Sequence, residues 1–278
     1  MKANQILLCA VAILAAATQT QASTLYGATS AGGPGELWVI DQTTGNAMQD
    51  VGPLNDALAN NYAVTGLAFD PVNGLLYGST GGHSGTDLLT IDPATALVTV
   101  VGSYNATGAG TMADLAFDSA GNLYGISSSG GANLYTINLA TGQATQVGLS
   151  GVSGTSGGGL AISPAGIFYG TPTTSRFGTY DPNTGAYNNI TNPFKPAGPS
   201  ASYASLAFDG NTLYGMDLGL PTHLVTIDSS GVVTDIGPSV ASIDAIAFTV
   251  EPIPEPTSAA LLLAGGVMAR IASRRGKK

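Results

Sequence analysis

The apolar positions of this chain come in short runs, each followed by Gly, Asn, Asp, Ser or Pro. Four stretches share one arrangement of such runs. They are "TGLAFDPVNGLLYGSTGGHSGTDLLTIDPATALVTVVG" from Thr65, "ADLAFDSAGNLYGISSSGGANLYTINLATGQATQVG" from Ala113, "GGLAISPAGIFYGTPTTSRFGTYDPNTGAYNNIT" from Gly158 and "ASLAFDGNTLYGMDLGLPTHLVTIDSSGVVTDIG" from Ala204. The common order is LAF, a turn, LYG, a Gly/Ser loop, L-x-x-ID, a second turn, and a strand ending in VG. Tyr-Gly pairs begin at Tyr26, Tyr77, Tyr124, Tyr169 and Tyr214, in steps of 51, 47, 45 and 45 residues. Within one unit the runs Gly66 to Phe69, Leu75 to Ser79, Leu88 to Ile91 and Leu97 to Val101 have strand length and strand composition. No segment carries a helical period. The connections Asp70-Pro-Val-Asn-Gly74, Asp118-Ser-Ala-Gly-Asn122 and Asp209-Gly-Asn211 have hairpin chemistry, with Asp to cap the turn and Gly or Asn to accept positive φ.

Four short strands per unit at a period near 45 residues predict an all-β β-propeller, whose blades are four-stranded sheets set around an axis. The ends fix the blade number. The first unit starts at "LYGATS" and continues through "ELWVID" and "AMQDVG", so it lacks an LAF strand. The missing element lies at the far end, in "IDAIAFTV" from Ile243 to Val250, which has no LYG after it. Pairing of the C-terminal strand with the N-terminal three yields five blades and leaves no open sheet between first and last. The expected layout is a signal peptide at 1–22, a five-bladed propeller at 23–250 and a tail at 251–278. Phe69, Phe117, Phe208 and Phe248, with Ile162 in the fourth unit, are expected between blades. So are the five Tyr-Gly tyrosines, because a residue repeated at one blade position belongs to the core before it belongs to a glycan-binding ladder.

Charge changes the picture at both ends. Between Ser23 and Pro252 sixteen carboxylates face only Arg176 and Lys195, which argues against nucleic acid or any other polyanion as partner. The first residues read as an export signal: Lys2, an apolar stretch from Ile6 to Ala17, and small residues that place cleavage between Ala22 and Ser23. Twelve apolar residues fall short of a membrane span. The one cysteine, Cys9, sits in this segment, so the remainder has no thiolate chemistry.

Catalytic chemistry is sparse. His83 and His223 fall between the second and third strands of blades two and five, and read as loop residues rather than zinc ligands. None of the usual nucleophile-elbow, zincin, Walker or dinucleotide fingerprints is present. Asp41, Asp92, Asp181 and Asp228, with Asn138, share one template position, and Asp70, Asp118 and Asp209, with Ser163, share another. Residues that recur in every blade are turn builders first. Oxygen ligands on an acidic ring would also suit calcium, but no loop has the D-x-[DN]-x-[DN]-G pattern, so no cofactor is expected. Sequons stand at Asn105 and Asn189.

The ending, "IPEPTSAALLLAGGVMARIASRRGKK", holds five of the eight Lys and Arg residues. Ala259 to Ala269 is too short to span a bilayer alone, but flanking residues and the snorkelling stem of Arg270 lengthen it towards a marginal transmembrane helix. The basic end then anchors it on the cytoplasmic side. Pro254 and Pro256 hold Glu255 on an extended, accessible segment. This order of Pro254-Glu255-Pro256, a Leu/Ala/Gly-rich helix and a basic end with Arg274 and Arg275 resembles the PEP-CTERM sorting signal of Gram-negative bacteria. The resemblance implies export through the inner membrane, signal peptidase at the N-terminus, transient retention in that membrane, and processing by an exosortase in a species that makes exopolysaccharide. The body resembles secreted propellers with LYG and ID-x-x-TG repeats, a likeness of fold and not of activity. The function expected is that of a non-enzymatic surface or extracellular-matrix protein, its propeller binding exopolysaccharide, biofilm components or matrix proteins. The alternative is a calcium-dependent propeller enzyme of lactonase or lyase type.

Overall fold

The computed structural model describes residues 23–30, 33–80, 86–106, 110–153, 158–173, 175–191 and 202–249. These residues form five four-stranded antiparallel sheets. Blade one contains β1 (Leu25–Thr29), β2 (Glu36–Ile40) and β3 (Ala47–Pro53). Blade two is β4 (Val64–Phe69), β5 (Leu76–Thr80), β6 (Asp87–Ile91) and β7 (Val98–Ser103). Blade three is β8 (Met112–Phe117), β9 (Leu123–Ser127), β10 (Leu134–Ile137) and β11 (Ala144–Gln146). Blade four is β12 (Leu160–Ile162), β13 (Phe168–Gly170), β14 (Phe177–Tyr180) and β15 (Tyr187–Thr191). Blade five is β16 (Tyr203–Asp209), β17 (Thr212–Asp217), β18 (His223–Ile227) and β19 (Val233–Pro238), and β20 (Ile243–Phe248) follows.

The last strand returns to the first sheet, whose order is β20-β1-β2-β3. Leu25 pairs with Phe248, Tyr26 with Ala247 and Gly27 with Ile246, so β20 supplies the LAF strand that the N-terminal unit lacks. The Thr24 N–H donates to Thr249 Oγ1 at 2.8 Å and the Thr249 N–H to the Thr24 carbonyl at 2.9 Å, which extends the seam by one more residue pair. The five-bladed ring closed through its two ends is therefore as the repeat required.

Burial follows position within the blade. The first strand of each blade lines the axis and is buried on both sides, as β4 and β20 show, whereas the outermost strands β3, β7 and β19 are largely exposed. Blades pack through one aromatic contact that recurs around the ring. The Tyr-Gly tyrosine of each blade meets an aromatic ring of the next: Tyr26 with Phe69 at 5.7 Å between centroids, Tyr77 with Phe117 at 5.5 Å, Tyr169 with Phe208 at 5.8 Å, and Tyr214 with Phe248 at 4.9 Å. Blade four carries Ile162 where the others carry Phe, and it also carries Phe168 where the others carry Leu. Tyr124 accordingly meets Phe168 edge-on at 4.8 Å, so the ring has moved to the neighbouring strand and the contact survives. Tilted and edge-on rings at this separation contribute beyond their buried area. The tyrosines are thus interblade residues, as their repetition implied. The glycine after each tyrosine makes room for the third strand: a Cβ on Gly78 would come within 2.9 Å of Ile91 Cδ1, and one on Gly27 within 2.5 Å of Ile40 Cδ1.

Turns between first and second strands use the predicted carboxylates. Asp118 Oδ1 accepts the Ala120 and Asn122 N–H groups at 3.0 and 2.8 Å, and Asp70 Oδ1 accepts Val72 N–H at 2.8 Å. Turns between third and fourth strands repeat the device: Asp41, Asp92, Asn138, Asp181 and Asp228 each accept the N–H two residues on, at 2.7 to 2.9 Å. These bonds hold Asp41, Asp92, Asp181 and Asp228 below the usual carboxylate range. The Thr43 and Ser230 side chains dominate at Asp41 and Asp228, and the Ala94 and Asn183 N–H groups at Asp92 and Asp181.

Candidate functional site

Five strands meeting at an axis create a problem in backbone chemistry. Each innermost strand is hydrogen-bonded to its own sheet on one edge, and the other edge faces the axis, where water is scarce and every N–H still needs an acceptor. The residue before the Leu of LAF stands at this point, and in the five blades it is Gly66, Asp114, Gly159, Ser205 and Ala245. Four are small because the strands come close. A Cβ on Gly66 would lie 2.7 Å from Asp114 Cα, and one on Gly159 only 2.8 Å from the Leu206 nitrogen.

The fifth, Asp114, supplies the acceptors. Its Oδ2 receives the Leu160 N–H at 2.9 Å from blade four and the Leu206 N–H at 3.0 Å from blade five. Its Oδ1 receives the Leu115 N–H of its own strand at 3.0 Å and the Ser205 hydroxyl at 3.1 Å. Ser205 Oγ in turn accepts the Ile246 N–H of the closing strand at 3.0 Å. One carboxylate and one hydroxyl thereby tie together the inner strands of four blades. Asp114 is fully buried, and burial pushes its carboxyl well above the usual carboxylate range while these donors pull the other way. Surrounded by donors, it offers a cation no favourable side.

Directly past Asp114 the axis opens into a cup of about 300 Å³. Its floor is a ring of five aliphatic residues, Leu67, Leu115, Leu160, Leu206 and Ile246, and its walls continue through the Ala and the aromatic or Ile of each LAF-type run. The rim is made by the first-to-second-strand turns, including Pro71, Asp118, Ser163 and Pro164. First and third strands of a blade run the same way, so the turns of Asp41, Asp92, Asp181 and Asp228 emerge on this face too.

The opposite face is different in kind. Asp244, on β20, accepts the Ser30 hydroxyl, and burial raises its carboxyl to about 6. His223 does not lie in a loop, as its sequence neighbours suggested, but opens β18. Its Nδ1 sits 2.9 Å from Asp235 Oδ1 on the adjacent β19, a half-exposed pair between neighbouring strands. His83 lies outside the described residues, as do Ala22, Pro254, Glu255, Pro256, Arg274 and Arg275; Ser23 is the first described residue. Among the described residues no three His, Cys, Asp or Glu side chains converge on a point, and no helix is long and apolar enough to cross a membrane.

Residues 29–205, from the end of β1 to the start of β16, match the model of a repeat of unknown function, DUF6923. The chain belongs to the DUF6923 repeat family. The matched part of this DUF6923 protein contains Asp114, Leu160 and Ser205, and ends one residue before Leu206. No curated protein matches the sequence. Among solved structures, a chain of a nidogen/laminin complex is similar at 14% identity and TM-score 0.53, over 83% of this chain and 99% of that one. A protein of unknown function from Bacteroides caccae is similar at 13% identity and TM-score 0.51, over 83% of this chain and all of that one. TolB from Acinetobacter baumannii is similar at 15% identity and TM-score 0.47; the match takes in 78% of this chain and 53% of TolB. The DUF6923 chain shares a fold with the nidogen/laminin-complex chain and the Bacteroides caccae protein.

Proposed function

We propose that this DUF6923 propeller is a non-enzymatic binding body, exported by a Gram-negative bacterium and delivered to the cell surface or extracellular matrix through its C-terminal tail. The observation that carries the non-enzymatic reading is the chemistry of the axis. The one carboxylate placed where a propeller would gather its polar groups is consumed by three backbone N–H groups and a hydroxyl of the ring itself. The turn carboxylates are likewise engaged by their own backbone. Support for export comes from the apolar N-terminal stretch and from Pro254-Glu255-Pro256 ahead of an apolar run and Arg274-Arg275. In this reading signal peptidase cuts after Ala22 and an exosortase recognises the tail, while the inner membrane holds the protein in transit. The surface is then free to bind exopolysaccharide or matrix proteins in a biofilm. The nidogen/laminin complex supplies a similarly folded chain in a protein assembly.

Intact mass and fractionation in the native host, beside a variant with Pro254, Glu255 and Pro256 all changed to Ala, test the route. Loss of the tail in the parent alone, with delivery to the surface, is the expected result. An uncut tail retained in the inner membrane in both would reduce the segment to an anchor. Binding of the purified protein to isolated native matrix tests the role, and absence of binding to both glycan and protein fractions would defeat it.

A further inference from the structure

The cup at the axis combines three properties that together select a ligand. It is apolar at the floor, it holds about 300 Å³, and its rim carries one carboxylate, Asp118. At roughly 30 Å³ per small molecular group, that volume accommodates about ten non-hydrogen atoms. The same face also carries Asp70 and Asp209 at the ends of first strands and, farther from the axis, Asp41, Asp92, Asp181 and Asp228 at the ends of third strands. Turn hydrogen bonds keep the last four below the usual carboxylate range, so they are charged at neutral pH. The only described Lys or Arg is Arg176, and it stands between β13 and β14, on the opposite face. A concave, low-dielectric opening on a face of one sign of charge concentrates the opposite sign at its mouth.

We propose that the cup binds a small organic cation with a compact apolar body, the body on the aliphatic floor and the charge at the Asp118 side of the rim. Burying a phenyl-sized group against that floor supplies affinity, and Asp118 on an otherwise acidic face supplies selectivity for an ammonium over a neutral or anionic head. Neither depends on the C-terminal tail, although the inference does rest on the propeller being a binding body.

Benzylamine, benzyl alcohol and benzoate share a ring and differ in charge, which makes them suitable probes for the full chain. In a titration followed by leucine methyl NMR signals, benzylamine is expected to move Leu67, Leu115, Leu160 and Leu206 in one saturable process. Benzyl alcohol and benzoate should bind at least about tenfold more weakly. Raising salt from about 50 to about 500 mM should weaken benzylamine several-fold and leave the alcohol unchanged. Asp118→Asn keeps an oxygen for the turn N–H groups and should weaken only the amine, whereas Ala207→Leu should fill the cup and abolish all binding. Should Ala207→Leu fail to fold, Asp118→Asn and the salt series decide alone. No saturable movement of the floor signals with benzylamine at about 10 mM, or benzoate binding as tightly as benzylamine, overturns the proposal. Consumption of a probe during titration would instead overturn the non-enzymatic reading, and the two failures are told apart by whether the probe is recovered.

Discussion

Asp114 is surrounded by donors, and this determines what each substitution does. In Asp114→Asn one oxygen becomes an NH₂ group. At the Oδ2 position it would face the Leu160 and Leu206 N–H groups, and at Oδ1 the Leu115 N–H. Either way at least one buried donor loses its acceptor, at a cost of about 1–3 kcal/mol in urea unfolding. Asp114→Ala strands three backbone N–H groups and should cost more than the Asn change. An Asn variant as stable as the parent would mean that the buried charge costs as much as the donors return. Titration adds a second test at this scale. Asp244 has a folded pKa raised above the unfolded value near 4, so the folded state holds its proton more tightly. Its contribution is complete below about 4 and declines as pH rises through about 6. Asp41, Asp92, Asp181 and Asp228 are shifted down, so their contribution is present above about 4 and is lost as pH falls below it. The melting temperature should therefore peak near pH 4 to 5, and Asp244→Asn should flatten the decline towards pH 6. An unchanged slope in that variant would remove Asp244 as its source.

At the scale of the element, each blade contributes a tyrosine from its second strand to a ring on the next blade, and blade four shows that the ring matters more than its address. Ile162→Phe alone adds bulk beside Phe168 and should cost about 1–3 kcal/mol, and Phe168→Leu alone leaves Tyr124 without its edge-on partner. The double change restores the arrangement of the other blades and should cost less than the sum by about 0.5–3 kcal/mol, measured by a double-mutant cycle. Strict additivity would show that the two sites do not share the contact. The aromatic ring, the turn carboxylates and the closing strand were all legible in the sequence because each is repeated, and repetition is what alignment of a chain with itself detects. Asp114 escaped for the complementary reason. The axis is common to all blades, so its acceptor is needed once, and a residue needed once is invisible to a search for what recurs. The available signal was the column holding Gly66, Gly159, Ser205 and Ala245: four small residues and one carboxylate. The cup escaped because no segment forms it; one tripeptide from each blade does. His223 was misplaced because the loop before β18 ends one residue earlier than its polar neighbours suggested.

For the whole molecule, closure is the property that a five-fold repeat cannot supply by itself, since four identical junctions still leave a fifth to be made. Here the fifth junction lies within a sheet: β20 is bonded to β1 along its length and carries the Ile246 N–H to Ser205. The seam is therefore held by a ladder, by the Tyr214–Phe248 contact and by the axial network together. Two truncations separate this seam from the tail beyond it. A chain ending at Val250 keeps the ladder and should melt at the temperature of the full chain, because the described seam ends at the Thr24–Thr249 pair. A chain ending at Ser239 loses the buried side chains of Ile243, Ile246 and Phe248, each contributing about 1.5–3 kcal/mol by burial, and strands the unpaired edge of β1. That loss is comparable with the whole stability of an ordinary domain, so the shorter chain should show no cooperative melt. Adding a synthetic peptide of residues 240–250 should restore it, with a melting temperature that rises with peptide concentration by mass action. If the chain ending at Ser239 melts cooperatively without the peptide, four blades and the three-stranded remainder of blade one hold the ring closed without β20.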